Sequence, residues 1–308
     1  MTVKEKLLKI QEFSGLTQSQ MANRLGVTFA ALNRWLNEKS QPRAQAQEKI
    51  DALLREFTGE KEISADQLEM KKNSVLDKRK QFPAVVNEIL NNPDIRDQFV
   101  LLLTYHSNRI EGSTLTENET AAILFQNTAL PHKTLAEQLE AKNHQTALDY
   151  LFRQVSQKKP ITEDFILESH RILMNGVCDD AGIYRRHPVR IVGANIATAN
   201  FLKVPELMAD LAVRINSKKN IIDLAAEVHA KFEQIHPFAD GNGRIGRLLL
   251  QAMLLLNNFA PAIIRQEKRR FYMIYLNKAQ AKSDLSLLED FTCDAILDGY
   301  KVLGRMNW

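Results

Sequence analysis

At 308 residues, with 44% hydrophobic and 25% charged side chains, the chain has room for two domains of ordinary size and the composition of a globular protein. Its net charge of +4 permits nucleic-acid contact without requiring it. Cys178 and Cys293 are the two cysteines, with no paired spacing and no His-Glu-x-x-His, so neither a disulfide framework nor a structural zinc is suggested; no opening stretch resembles a signal peptide, and Leu248 to Leu256 is too short to span a bilayer. A cytoplasmic protein with no membrane partner is expected.

The first element is a helix pair. Leu16 to Asn37 reads as a helix, a turn at Gly26 and a second helix from Thr28, with Thr17-x-x-Gln20 as a capping box and Thr28 as N-cap. Met21, Leu25, Val27, Leu32, Trp35 and Leu36 fall where two crossed helices share a small core. With Trp35-x-Asn37 and Gln41-Pro42 behind it, the segment resembles the helix-turn-helix of Cro and phage repressors. The resemblance implies that the second helix enters the major groove of DNA, with Thr28, Phe29, Asn33 and Arg34 as the contacting residues. Between Phe13 and Arg43 there are four basic residues (Arg24, Arg34, Lys39, Arg43) against one acid, Glu38, enough for phosphate contacts but calling for a dimer. A helical adaptor that binds protein is the alternative.

A polar stretch with Lys71-Lys72 and Lys78-Arg-Lys80 follows, read as a linker over 58–81 that is in part helical. Asp97 to Ile110 is rich in apolar residues and reads as a buried helix ended by Gly112, with Thr116-x-x-Glu119 opening the next. Glu111 thus sits in a last turn, where helix carbonyls disfavour negative charge by a few tenths to ~1 kcal/mol. A nearby cation would relieve that. Gly182-Ile-Tyr-Arg185, then Val189, Ile191 and the turn-like Gly193-Ala-Asn195, alternate as a short β-hairpin whose exposed edge, at Ile191, Val192 and Gly193, can register an extended peptide. An ordinary hairpin without a ligand fits the same pattern.

Leu224, Val228, Phe232 and Ile235 recur at helical spacing and deliver His236 at a helix end. Pro237 and the glycines break that helix, and a second, apolar on nearly every side, runs from near Gly243 through Leu256. At such a start the first backbone N–H groups lack partners, so Gly241, Asn242 and Gly243 can present amides to a phosphate. Arg244 and Arg247, three apart, can add charge-assisted bonds. Asp240 is a poor phosphate neighbour unless a divalent cation intervenes. His236 can take a proton from an attacking hydroxyl. Gly241-x-Gly243-x-x-Gly246, with Glu267 about twenty residues on, formally meets the dinucleotide fingerprint. That fingerprint needs a preceding strand, whereas a helix and His-Pro precede it here. No Gly-x-x-x-x-Gly-Lys-[Ser/Thr] occurs, which excludes a P-loop.

His236-Pro-Phe-Ala-Asp-Gly-Asn-Gly-Arg-Ile-Gly-Arg247 resembles the signature of the Fic family, His-Pro-Phe-x-[Asp/Glu]-Gly-Asn-Gly-Arg-x-x-Arg, at every fixed position. The resemblance runs from about Asp97 to the C-terminus. It implies transfer of AMP from ATP to a protein hydroxyl, with His236 as base, Asp240 as Mg²⁺ ligand and Gly241 to Gly243 as the anion hole for the α-phosphate. Arg244 would hold the β-phosphate and Arg247 the γ-phosphate. The hairpin corresponds to the family's flap, which docks the target. Tyr272 resembles a family tyrosine near the nucleotide base, although with Tyr275 and Leu276 it equally fits a core stripe. Family kinases carry Lys at the position of Gly243; phosphocholine transfer is compatible with the motif. Ser107-x-x-x-Glu111-Gly112 resembles the inhibitory motif of Fic proteins that carry the inhibitory helix N-terminal to the core. By that resemblance Glu111 pairs with Arg247 and occupies the γ-phosphate position, with Ser107 as buttress; in some relatives the same glutamate positions a water that removes AMP.

The expected fold class is all-α: a helix-turn-helix domain over 1–57, the linker over 58–81, and over 82–308 a Fic-type helical core with a short β-hairpin flap, an inhibitory helix at about 97–112 and the signature loop at 236–247. The expected function is an autoinhibited protein adenylyltransferase acting on a Ser, Thr or Tyr hydroxyl and using ATP and Mg²⁺, with a DNA-binding module and a possible homodimer. The alternatives are an ATP-sensing transcriptional regulator without transfer, and a de-AMPylase using Glu111.

Overall fold

The computed structural model describes residues 1–59, 61, 63–190, 197–217 and 220–304. It divides into two units, Met1–Ser64 and Ala65–Trp308.

The first unit holds helices α1 (Val3–Ser14), α2 (Gln18–Leu25), α3 (Phe29–Leu36) and α4 (Ala44–Thr58). Local chemistry sets their ends. The Thr17 hydroxyl accepts the Gln20 N–H at 3.3 Å while Gln20 accepts the Thr17 N–H at 2.9 Å, and Thr28 caps α3 through Ala31 N at 3.2 Å. Gly26 turns between them at φ 68°, a conformation that costs glycine nothing. The core reaches beyond the helix pair: Leu7 and Ile10 of α1 and Ile50, Leu53 and Leu54 of α4 close over Met21, Leu25, Leu32, Trp35 and Leu36. Two short helices alone bury too little apolar surface, and α1 and α4 supply the rest.

The second unit opens with α5 (Ala65–Gln81), α6 (Val85–Asn91), α7 (Pro93–Ile110), α8 (Glu117–Gln126), α9 (Leu135–Ser156) and α10 (Glu163–Leu173). It continues with α11 (Val204–Ile215), α12 (Ile221–Ile235), α13 (Asn242–Leu256), α14 (Arg269–Lys282) and α15 (Ser286–Gly304). α13 is the hub, packed against α7, α9, α10 and α12, and nearly all its side chains are buried. α12 packs in turn on α11, α14 and α15.

Within 58–81, expected as a linker in part helical, residues 65–81 form α5, which packs along α15 through buried Leu68 and Val75. Its lysines are polar for a structural reason. Lys72 is buried between Asp223 (2.6 Å) and Glu289 (2.7 Å), and Lys71 bonds to Asp290 (2.8 Å) and Asp294 (2.6 Å). Among the described residues no strand occurs, and the flap residues Ile191, Val192 and Gly193 lie outside the described residues. The flanks of that segment are tied by the Thr198 hydroxyl donating to Val189 O at 2.8 Å.

Candidate active site

α12 ends at His236, which adopts the left-handed conformation (φ 52°), and α13 starts after Gly241 (φ 76°). A non-glycine residue in that region persists only where its surroundings hold it. Arg185 does much of the holding. Its Nε donates to His236 O at 2.6 Å, its Nη2 to Ala199 O at 2.6 Å and to Ile235 O at 3.3 Å, its Nη1 to His187 O at 2.8 Å, and its own N–H to Pro237 O at 2.9 Å.

The loop is also braced from within. Phe238 N–H donates to Asn242 Oδ1, and Asn242 Nδ2 donates to Phe238 O, both at 2.9 Å. The Asn242 side chain is therefore spent as a clamp, which leaves only its backbone amide uncommitted. The buried Phe238 ring stacks on His170 with centroids 3.7 Å apart. His170 Nδ1 accepts the Gly182 N–H at 2.7 Å, so its proton is on Nε2, which donates to Asp240 O at 3.0 Å. Burial pushes His170 down to about 4, so it stays neutral.

His236 Nδ1 lies 3.2 Å from Glu233 O, which can only accept, so Nδ1 carries the proton and Nε2 keeps its lone pair. Burial lowers its pKa, the Glu233 carbonyl raises it in part and Arg185 lowers it further. The imidazole is thus neutral at pH 7.

At the start of α13, Asp240 Oδ1 accepts the Gly241 N–H at 2.6 Å. The amides without a helical acceptor are those of Asn242, Gly243 and Arg244. Against them lies a carboxylate of the chain itself. A side chain at Gly243 would collide with Glu111 Oε1, and the same oxygen accepts from Arg247 Nη2 at 2.7 Å. Arg247, 5% exposed, also donates from Nε to Ser107 Oγ at 2.9 Å and from Nη2 to Ser107 O at 3.0 Å. Burial disfavours charge on Glu111, but Arg247, with Arg244 and Arg269 behind it, outweighs that and holds the carboxyl below its ordinary value. Arg269 Nε also donates to Ile110 O at 2.6 Å, relieving the end of α7.

Arg244 is buried and already paired, with Nη1 on Glu140 Oε1 at 2.6 Å and Nη2 3.5 Å from Asp240 Oδ2. Asp240 is 67% exposed. Tyr272, expected either near a nucleotide base or in a core stripe, is 1% exposed and its hydroxyl donates to His229 Nε2 at 2.6 Å. His229 Nδ1 in turn donates to Gly246 O at 3.1 Å, and burial, helped by Arg247, pushes its pKa to about 4.

In the first unit, Thr28 is engaged as the cap of α3, Phe29 is 50% exposed, and Arg34 is exposed with its Nε on Ala30 O at 3.3 Å. Asn33 is half-buried and accepts from Asn37 Nδ2 at 3.0 Å. Arg24 pairs with Glu56 and Lys4 with Glu38, so the charges of this face are partly met internally.

Four contributors escape a sequence reading: Arg185, His170, Glu140 and Glu233. The first three act through partners 51 to 104 residues away, for which no periodicity exists. Glu233 leaves one trace, a charged residue one turn before His236 on an otherwise apolar helix face.

The segment that carries the helix ending at a histidine, the braced glycine turn and the buried arginine of the next helix lies within residues 160–254, which match the Fic/DOC family. The chain is 37% identical over 188 residues to a protein adenylyltransferase Fic from Nematostella vectensis, covering 57% of this chain and 42% of that protein. It is 34% identical over 187 residues to a protein adenylyltransferase Fic from Drosophila willistoni, covering 57% of this chain and 36% of that protein. The chain thus spans less than half the length of these curated relatives. Among solved structures, Fic-1 from C. elegans superposes with a TM-score of 0.67 at 26% identity, over 92% of this chain and 83% of that one. A Fic domain containing signaling protein from Bacteroides thetaiotaomicron superposes with a TM-score of 0.66 at 25% identity, over 76% of this chain and 95% of that one. Among the described residues no helix is long and apolar enough to cross a membrane.

Proposed function

We propose that the chain is a protein adenylyltransferase that Glu111 holds in check. The observation that carries the reading is the Glu111 carboxylate lying on Gly243 and Arg247, since an anion already occupies the glycine-rich helix start where a polyphosphate would sit. With Glu111 displaced, the amides of Asn242 to Arg244 and the Arg247 guanidinium are available to ATP. The hydroxyl oxygen of a target Ser, Thr or Tyr attacks the α-phosphorus, the bond to the bridging oxygen breaks, and pyrophosphate leaves as AMP is joined to the target. His236 Nε2 takes the hydroxyl proton.

Among the described residues no group of three or more His, Cys, Asp or Glu is arranged to hold a metal alone. The single exposed carboxylate of Asp240 fits Mg²⁺ shared with phosphate oxygens, and that ion would neutralise charge on the departing pyrophosphate. Arg244, tied to Glu140 and Asp240, serves best by fixing Asp240 and supplying positive potential. The segment between Val189 and Thr198 is our candidate for docking the target.

For the first unit we infer a helix-turn-helix that binds DNA as a dimer through α3, with Phe29 and Arg34 as its exposed contacts and Asn33 beside them. Binding that weakens steeply with salt is expected, and affinity for duplex DNA that ignores salt would refute it. An ATP-sensing regulator without transfer is the competing reading that this module favours.

The test is incubation with ATP labelled on the α-phosphate, followed by mass spectrometry, comparing the native chain with Glu111→Gly and His236→Ala. Label should rise with the first and vanish with the second. No adduct with Glu111→Gly, on itself or in a lysate, would refute transfer; loss of AMP from pre-modified target, dependent on Glu111, would make the chain an eraser.

A further inference from the structure

Glu233 lies on α12 one turn before His236, is 6% exposed, and its Oε1 has no hydrogen-bond partner. That oxygen rests on Gly246, where a Cβ would stand 2.5 Å from it. Gly246 is the residue before Arg247. Four residues earlier on the same helix, His229 grips the Gly246 carbonyl, so α12 presents both side chains to the step of α13 that aims the arginine. An ionised carboxylate in such a place would be desolvated and without a hydrogen-bond donor on Oε1, which disfavours the charge.

We propose that Glu233 is a positioning residue for the polyphosphate site: as a neutral acid it leaves the Arg247 guanidinium to the anion in front of α13, and once ionised it competes for that guanidinium. The inference rests on the reading above, that this anion is a nucleotide. Burial pushes the Glu233 carboxyl up to about 8, Arg247 opposing and Glu111 reinforcing the shift. The groups facing it are Arg247 on α13, Glu111 on α7, Tyr272 on α14, and His229 and His236 on its own helix. The pairs that α12 makes with its other neighbours, Glu227 with Arg214 and Asp223 with Lys72, are at its more N-terminal, partly exposed positions. Both histidines lose their protons below neutrality and Tyr272 holds its own far above it. Between pH 7 and 9, Glu233 is the member of this group that changes.

The experiment measures ATP binding by calorimetry, with excess Mg²⁺, at pH 7, 8 and 9 in Glu111→Gly and in Glu111→Gly with Glu233→Gln. The Kd of the first should weaken by about tenfold across the range, and the second, normalised to its own value at pH 7, by less than about twofold. AMP, which lacks the outer phosphates, should show no such slope in either. A flat profile for Glu111→Gly, or equal slopes for both proteins, overturns the proposal. A nucleotide-free arm separates it from the functional reading. Relative to Glu233→Gln, the native chain should lose melting temperature as pH rises from 5 to 8, and absence of that difference overturns the proposal whatever ATP does. If the difference is present but ATP fails to bind at pH 7, the nucleotide reading falls, and with it the polyphosphate role assigned to Glu233.

Discussion

Replacing Glu111 by alanine should weaken the fold and strengthen the site at once. Arg247 is 5% exposed, and its partners are Glu111 at 2.7 Å and Ser107 at 2.9 and 3.0 Å. Breaking a fully buried ion pair costs roughly 3–5 kcal/mol, because the remaining charge is stranded. Here the Glu111 side chain is 39% exposed and both Ser107 bonds survive. The expected loss is therefore smaller, about 1–3 kcal/mol. For a unit of this size that corresponds to a fall in melting temperature of roughly 3–10 °C. ATP no longer has to displace the carboxylate, so its affinity should rise by the same free energy, about 5- to 150-fold. Nucleotide at a hundred times its Kd then returns about 2.7 kcal/mol, enough to restore the melting point. Scanning fluorimetry with and without ATP and Mg²⁺, alongside calorimetry, reads both halves. A variant that melts like the native chain and binds ATP within a factor of two of it would refute the reasoning.

The lowered pKa of His236 fixes the acid limb of transfer: the base must be neutral, so activity of Glu111→Gly should persist down through pH 6.5 and fall only below it, as a pH–rate profile would show. For Glu233 the sign is opposite to that of a paired carboxylate. The unfolded chain releases this proton near 4.5 and the folded chain near 8, so stability is greatest below 4.5 and is lost as pH rises towards 8, by at most about 5 kcal/mol, a slope that urea unfolding should find missing in Glu233→Gln. Gly246→Ala should cost about 1–3 kcal/mol by overpacking against Glu233 and Phe232, with partial recovery when Glu233→Ala is added, measured by the same unfolding series. Lys72→Ala should destabilise the second unit by about 3 kcal/mol through the stranded Glu289, and limited proteolysis should then cut within 65–81.

Much of the fold could be read locally. The Thr17 and Thr28 caps, the Gly26 turn, the end of the helix near Glu111 and the two helices flanking the signature all follow from contacts within four residues, and the structure has them. What escaped depends on distance along the chain. Lys71 and Lys72 look like linker charges until acids more than a hundred residues away meet them, so α5 was invisible as a packed helix. Tyr272 carried two readings from one stripe, and no periodicity announced its bond to His229, 43 residues away. The helix start at residues 240 to 244 was legible, whereas the bond between the Asp240 side chain and the Gly241 amide is one that no spacing rule announces.

Arg185 grips both shores of residues 191–196, at His187 on one side and Ala199 on the other, and fastens each to the carbonyl of His236. That arrangement holds the His236 carbonyl independently of what lies between. If the proposed function holds, substitutions or altered length in the intervening stretch would change which protein is engaged without retuning the proton acceptor, and client choice and turnover would be free to diversify separately.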